Sequence, residues 1–449
     1  MIGVVGGGIA GLAAAYRLRQ RGHDVQVFEA TEDVGGLAAV YETAGDDIEK
    51  FYHHLSKSEE TIVELAEELG LGDRLEWRVG KNAYYVNGVV HPLDTAWQIA
   101  AYPHMSVYDK FRLGMLTQGI DVRGGRPDFD AYDDLSEYEN VSIRDFVVEH
   151  TTQGVYDNFV DPLLDGKFGE RKHDVSAAWF LGRVRFRGER DLLRGEILGY
   201  FDGGFRPLLD ALVDAVGREN ITTGARVTEM ETAGESVGSM TVETEGGTET
   251  HDVDSVVVAA MPNVLEDLTG YECDIEFQGA VCGLATMNES VMDTYWLNVA
   301  HDAPFGSLIE HTNFVPKERY GGQHLMYVAS YVQGPEEDLW QMTDEEVEDL
   351  WFDEIESMFP GFDADSTVEE FRISRNPRAG PIYERGYLDM VVPYDLAEDV
   401  ADGVYYAGMA SAAQYPERSL NGGIVAGYEC ADRIADRADA DTPSAVADD

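Results

Sequence analysis

The sequence predicts an α/β protein: a parallel sheet assembled from discontinuous segments of the chain, with an α+β domain inserted between them. Three observations predict it. The first thirty residues read as strand, glycine turn, helix and strand. Strand-like apolar runs return far downstream, at Ser255–Ala260 and just before Ala407-Gly408. Between these points the composition shifts twice, to a helical, aromatic and arginine-containing stretch (91–196) and to a strand-bearing one from Gly270 to about Tyr394.

Ile2-Gly3-Val4-Val5 is an apolar run that stops at glycine, as a buried parallel strand does. Ile9 to Arg21 reads as a helix whose Ala13, Ala14 and Ala15 allow close approach to a sheet. Arg17, Arg19 and Arg21 suit its C-terminal end, and Gly22 can cap it. Val25-Gln26-Val27-Phe28 is a second strand, ending at Glu29. Gly6, Gly8 and Gly11 fit G-x-G-x-x-G, a weak signal alone in a chain with 47 glycines. Strand before, helix after and acid at the next strand end make it a dinucleotide site. Free N–H groups around Ile9 and Ala10 would face a pyrophosphate, and a side chain on the glycines would block its approach. Glu29 would accept hydrogen bonds from a ribose diol and repel a 2′-phosphate.

After Glu29 come Ala30-Thr31-Glu32-Asp33-Val34 and then Gly35-Gly36-Leu37. Here the sequence resembles the FAD-binding flavoproteins of the amine oxidase and protoporphyrinogen oxidase type. In those proteins an acid, a short spacer and a glycine pair follow the first fingerprint. The resemblance implies a Rossmann-like FAD-binding domain with an inserted α+β substrate domain. It implies FAD as cofactor, with Ala30, Gly35, Gly36 and Leu37 beside it.

Asp and Glu number 85 against 33 Lys and Arg, seven of them lysine, for a net charge of −52. A hydrophobic content of 44% argues for a folded chain despite that charge. The expectation is a halophilic cytoplasm, because at ~1 M salt the Debye length is only about 3 Å and carboxylate repulsion is screened. No nucleic-acid partner is expected for so acidic a surface. Cys273, Cys282 and Cys430 form neither a disulfide framework nor a metal-ligand spacing. No signal peptide fits before Ile2, and no apolar run reaches the ~20 residues of a transmembrane helix. A small-molecule substrate is expected; the oligomeric state is left open.

Ser56-Lys57-Ser58-Glu59 can form a capping box for a helix carrying Ile62, Leu65, Ala66 and Leu69. Asn87-Gly88 between Tyr84-Tyr85-Val86 and Val89-Val90 predicts a hairpin. Gly203 to Gly217 reads as a helix with Leu208, Leu209, Leu212, Val213 and Val216 on one side, followed by a strand meander. A further helix is expected over Asp344–Met358. The division that follows gives FAD-domain segments at 1–80, 201–270 and 395–437, substrate-domain segments at 81–200 and 271–394, and a frayed tail at 438–449.

The resemblance extends to later segments. It implies that the backbone of Val227 meets adenine and that Ala260 ends a strand near the nucleotide. Gly408 would lie at the last FAD motif, where most relatives follow the glycine with an acid and this chain has Met409. Asn421-Gly422-Gly423, opening a helix at Ile424–Arg437, would aim its N–H groups at the flavin N1/C2=O edge. No cysteine stands in that loop, so noncovalent FAD is expected.

Candidate substrate-side residues are fewer. The stretch Lys50-Phe51-Tyr52-His53-His54 resembles one that crosses near the isoalloxazine, so His53 or His54 could touch flavin or substrate. Arg375, Tyr383 and Arg418 are candidates for binding an anionic or polar substrate, whereas Lys167 reads as a packing or surface ion-pair residue. The function implied is an FAD-dependent oxidoreductase accepting a hydride at flavin N5 from an amine, a porphyrinogen or a carbon–carbon bond undergoing desaturation. Two alternatives share the fold: a redox-neutral flavoenzyme resembling UDP-galactopyranose mutase, and a prenyl carrier of the GDP-dissociation-inhibitor type.

Overall fold

The computed structural model describes residues 1–186, 190–191, 195–300 and 303–441. Five strands, β1 (Ile2–Val5), β2 (Val25–Phe28), β3 (Ile221–Thr222), β4 (Ser255–Val258) and β5 (Val404–Tyr406), form one sheet in the order β3-β2-β1-β4-β5. All its pairings are parallel. Val4 lies between Val27 and Val257, and all three are fully buried. Valine fits a strand covered on both faces, where each such side chain contributes roughly 1.5–3 kcal/mol by leaving water.

Helix α1 (Ile9–Gln20) packs on this sheet between α2 (Arg206–Val216) and α3 (Leu420–Asp441). Six consecutive residues of α1, Gly11 to Tyr16, are buried, so the helix is enclosed rather than one-sided. Its alanines admit α3 at close range: a Cβ on Gly427 would fall 2.4 Å from the Ala10 carbonyl. Arg17 and Arg21 both pair with Asp432 of α3, at 3.0 and 2.8 Å. On α2 the residues Leu208, Leu209, Leu212, Val213 and Val216 are all buried, matching the predicted stripe.

A seven-stranded sheet makes up the core of the rest. Its order is Val368–Pro381, Phe277–Met287, His324–Val332, Ser307–Glu310, Trp296–Val299, Asn82–Val86 and Val89–Pro92. Only the pairing of Asn82–Val86 with Trp296–Val299 is parallel. The hairpin turn has Asn87 at φ 51° and Gly88 at φ 80°, the two left-handed residues a type I′ turn requires. Helix Asp344–Met358 covers one face with Val347, Trp351 and Ile355. The helices between Ala96 and Phe186 share a core with the parallel sheet, Phe146 and Trp179 belonging to the same buried cluster as Val5, Val258 and Tyr406.

Glu49 joins the two halves. Fully buried, its carboxylate accepts from Tyr200 Oη–H and Phe205 N–H, both at 2.7 Å, and its carbonyl from Tyr327 Oη–H at 2.6 Å. Burial holds its carboxyl above the usual carboxylate range.

Three expectations change. Helix Glu60–Glu68 receives no cap from Ser56; Glu59 Oε2 accepts from the Ser56 N–H at 2.7 Å, but Asn421 Oδ1 accepts from the Ile62 N–H at 2.8 Å. Helix α3 begins at Leu420 rather than Ile424, because Ser419 Oγ takes the Gly422 N–H at 3.0 Å and starts the helix a turn early. It also runs past Arg437 to Asp441, so the expected tail begins inside a helix, and residues 442–449 lie outside those described.

Candidate functional site

The glycines between β1 and α1 do different jobs. Gly6 has φ 106°, and a Cβ there would sit 2.6 Å from the Ala259 carbonyl. On Gly11 a Cβ would lie 2.0 Å from the Gly6 carbonyl, so glycine lets the helix start close beneath the loop. Gly8 differs from both. Its backbone is ordinary and extended (φ −73°, ψ 177°), and a Cβ would meet nothing within 4 Å. The protein's own packing does not require glycine at 8. Open space over the N-terminus of α1, above Ile9 and Ala10, is what a pyrophosphate needs.

Glu29 braces this loop as well as facing it. Its Oε2 accepts from the Gly7 N–H at 2.7 Å, and its Oε1 from Thr31 N–H and Oγ–H at 2.8 and 2.7 Å. The second glycine pair meets the first loop directly, since Gly35 N–H donates to the Gly7 carbonyl at 2.9 Å. Gly35 (φ 123°) and Gly36 (φ 57°) both adopt left-handed backbone, with Leu37 in the short turn that follows. Ala30 is exposed. The segment leading to Val227 runs alongside, because Ala225 N–H donates to the Glu29 carbonyl at 2.8 Å.

At the far end of the sheet Gly408 lies against Ala260, whose carbonyl would be 2.1 Å from a Cβ on the glycine. Met409 is half-buried, and no acid replaces it at that position. The C-terminal glycine pair corrects an expectation. The Gly422 N–H is bonded to Ser419 Oγ and the Gly423 N–H to the Ser419 carbonyl at 3.1 Å, so neither is turned outward. Among the described residues nothing accepts from Leu420 or Asn421 N–H, and these are the amides this helix can offer a ligand. Glycine is required for packing: a Cβ on Gly422 would meet the Ala413 carbonyl at 2.5 Å, and one on Gly423 the Ile9 Cγ2 at 2.9 Å. Ile424 is fully buried behind them.

His53 and His54 diverge. His53 Nδ1 lies 2.6 Å from the Phe51 carbonyl, which fixes the proton on Nδ1 and leaves Nε2 an acceptor. Burial lowers its pKa to about 4, and Arg418 adds to the effect, so the ring is neutral. His54 Nδ1 instead bonds Tyr295 Oη at 3.0 Å, edge-on to Trp296.

Arg375 and Tyr383 do not serve as expected. Phe371, Ile373 and Arg375 point to the face of the strand covered by Asp344–Met358, where Arg375 pairs with Asp344 and donates to the Met342 carbonyl. The alternate residue Ser374 faces Tyr41 Oη at 2.6 Å, on the other side. Tyr383 is buried with its hydroxyl fully used, accepting from Arg418 N–H at 2.7 Å and donating to the Gln414 carbonyl at 3.1 Å. It positions the loop that carries Arg418.

Arg418 is where the interior charge gathers. Its Nη2 lies 3.4 Å from Tyr331 Oη, and a Cβ on Gly380 would lie 2.7 Å from its Nε. Tyr52 bonds Tyr331. Lys167 is an interior residue, pairing with Glu417 at 3.1 Å above the Trp179 ring, and Arg183 pairs with the same carboxylate. Tyr52, Tyr331, Arg183 and Glu417 were not singled out by sequence. The adjacent charges Glu417-Arg418 inside an otherwise apolar closing motif were the available signal; Tyr331 had none.

The sequence pattern of the flavin containing amine oxidoreductases matches this chain over residues 9–435. The chain belongs to that family. Its cofactor is FAD, and the space over Gly8, the Glu29 brace and the Gly35–Gly7 contact fit that group. The chain is 25% identical to protoporphyrinogen oxidase 2 of Arabidopsis thaliana over 259 residues, 50% of this chain and 49% of that one. It is 28% identical to coproporphyrinogen III oxidase of Mycobacterium tuberculosis over 232 residues, 47% of this chain and 49% of that one. These matches span about half the length of each relative. The flavin-dependent L-tryptophan oxidase of Lentzea aerocolonigenes is 25% identical over 391 residues, 80% of both chains. Cyclohexylamine oxidase from Brevibacterium oxydans shares the fold at a TM-score of 0.66 and 17% identity, covering 98% of this chain and 99% of that one. Reduced UDP-galactopyranose mutase shares it at 0.71 and 16%, covering 97% and 95%. No helix among the described residues is long and apolar enough to cross a membrane.

Proposed function

We propose that the chain is an oxidoreductase that oxidises a small organic molecule lodged between the parallel-sheet domain and the seven-stranded sheet. The single observation that carries this reading is the pair of glycine loops in mutual contact, with free space over Gly8 at the N-terminus of α1. A carrier that needed no flavin would have no use for that space. FAD, when bound, supplies the hydride acceptor.

The chain's own residues then bind, orient and keep the site dry. Glu29 fixes the loop through the Gly7 amide and presents its remaining lone pairs to a ribose. Tyr383 holds Arg418 by its backbone, so the guanidinium is set before substrate arrives. His53, kept neutral, offers Nε2 as an acceptor near Arg418 and Phe205. Burial raises the Tyr331 phenol, but Arg418 and Lys167 outweigh it and hold it below the ordinary phenol range.

The test is anaerobic mixing of the FAD-loaded protein with amines, amino acids, porphyrinogens and sugar nucleotides. Loss of flavin absorbance with one oxidised product per chain supports an oxidase or desaturase. Turnover of a sugar nucleotide only after chemical reduction, with no net oxidation, would replace it by the mutase-type reading.

A further inference from the structure

Carboxylates outnumber cationic side chains 85 to 33 in this chain, yet Arg418 shares with the exposed Arg19, Arg378 and Arg385 and the half-buried Arg112 the lack of a carboxylate partner; what sets it apart is where it lies. Arg17, Arg21, Arg123, Arg171, Arg319 and Arg375 each pair with at least one Asp or Glu. Arg418 has none among the described residues. Its neighbours are phenols: Tyr331 at 3.4 Å, Tyr52, and Tyr383 through the backbone. A half-buried guanidinium set among phenols and without a counter-charge is costly unless something supplies that charge.

The surroundings add to the imbalance. Lys167 and Arg183 share the carboxylate of Glu417. Aromatic rings rather than polar groups wall them in: Lys167 lies 4.9 Å from the Trp179 centroid and 5.5 Å from that of Phe168, and Arg183 5.5 Å from Trp179. Lys167, Arg183 and Arg418 thus gather in a weakly polar setting, where charge interactions are strong; Glu417 serves the first two and Glu196 lies near Arg183, while neither pairs with Arg418. A protonated amine entering here would meet like charge.

We propose that Arg418, Lys167 and Tyr331 form an oxyanion-binding pocket, and that the substrate enters with a carboxylate or phosphate held there rather than as a free alkylammonium. This rests on the reading of the site as the substrate side of an FAD enzyme. Arg418 is the principal contact, because Lys167 is half neutralised by Glu417. Arginine's planar donors suit a two-oxygen anion.

The experiment uses the FAD-loaded protein at one fixed KCl concentration and follows the flavin spectrum and calorimetric heat on adding benzoate, UDP or benzylamine. We expect benzoate or UDP to bind at least ten-fold more tightly than benzylamine. Binding of UDP without benzoate identifies a diphosphate as the oxyanion, and the reverse a carboxylate. Arg418→Met should weaken the favoured anion ten-fold or more, with Arg418→Lys recovering part of it. Glu417→Gln should tighten it, since it removes the competing carboxylate. All variants should keep one FAD per chain, which separates this idea from the cofactor assignment. Protein that binds FAD but prefers benzylamine, or an Arg418→Met variant with unchanged anion affinity, would overturn the pocket. Protein that binds no FAD would overturn the reading beneath it.

Discussion

The Gly35 N–H donates to the Gly7 carbonyl across 2.9 Å, tying the second glycine pair to the first glycine loop. Two motifs 28 residues apart in sequence thereby become one wall of the cofactor site. Between them stands Glu29, bonded to the amide of that same Gly7 at 2.7 Å.

Gly8 separates cofactor binding from folding. A Cβ at 8 meets no protein atom within 4 Å, so Gly8→Ala should melt within about 1 kcal/mol of the parent, close to a surface change. Its FAD affinity should fall all the same, because the methyl occupies the space left for the pyrophosphate. Gly11→Ala should instead destabilise the fold, its Cβ falling 2.0 Å from the Gly6 carbonyl. Thermal melting of the FAD-free proteins with FAD fluorescence titration reads both effects; equal FAD affinity in Gly8→Ala would contradict the assignment.

Glu29→Ala should weaken FAD binding by about 1.5–3 kcal/mol, the worth of hydrogen bonds to a charged group. Part of that loss comes from releasing the Gly7 amide, so the effect should exceed that of Thr31→Ala. Fluorescence titration decides it.

Asn421 links the last motif to the first domain segment, its side chain accepting from the Ile62 N–H 359 residues earlier. Asn421→Ala should cost about 1 kcal/mol as a lost helix cap, read as a lower Tm. Unchanged stability would show that the Ile62 amide finds another acceptor.

How much of this was legible follows from sequence distance. Helix α1, the Asn87-Gly88 turn and Asp344–Met358 announce themselves through periodicity or turn chemistry within a dozen residues. The cap on Ile62 and the Lys167–Glu417 pair join residues 359 and 250 positions apart, and nothing local encodes either partner. Arg375 and Tyr383 sit in the right arm of the chain but on the wrong side of it: strand alternation sends Arg375 to Asp344, and burial spends the Tyr383 hydroxyl on the backbone. Gly422-Gly423 looked like a ligand loop because close helix packing asks for the same residue.

Glu59 provides a pH test. Buried at 3% exposure, its carboxyl is raised to about 7 by burial. A carboxyl that is harder to ionise folded than unfolded favours folding below the unfolded value near 4.3, and that stability fades as pH rises through 7. Glu59→Gln removes this term while keeping an acceptor for the Ser56 N–H. The Tm of the variant relative to the parent should therefore climb between pH 5 and 8; a flat or falling difference would contradict it.

Net charge makes the fold sensitive to salt. With −52 charges, self-repulsion should lower Tm or release FAD as KCl falls well below ~1 M at fixed pH. Full stability in dilute buffer would refute the halophilic reading.

The most direct measurement of the central claim is the flavin content of the purified protein, reconstituted with FAD if colourless and then precipitated with acid. One equivalent of intact FAD per chain, released entirely to the supernatant, is the predicted result. A protein that takes up no FAD, or that carries FMN instead, would contradict the account of the two glycine loops and everything built on them.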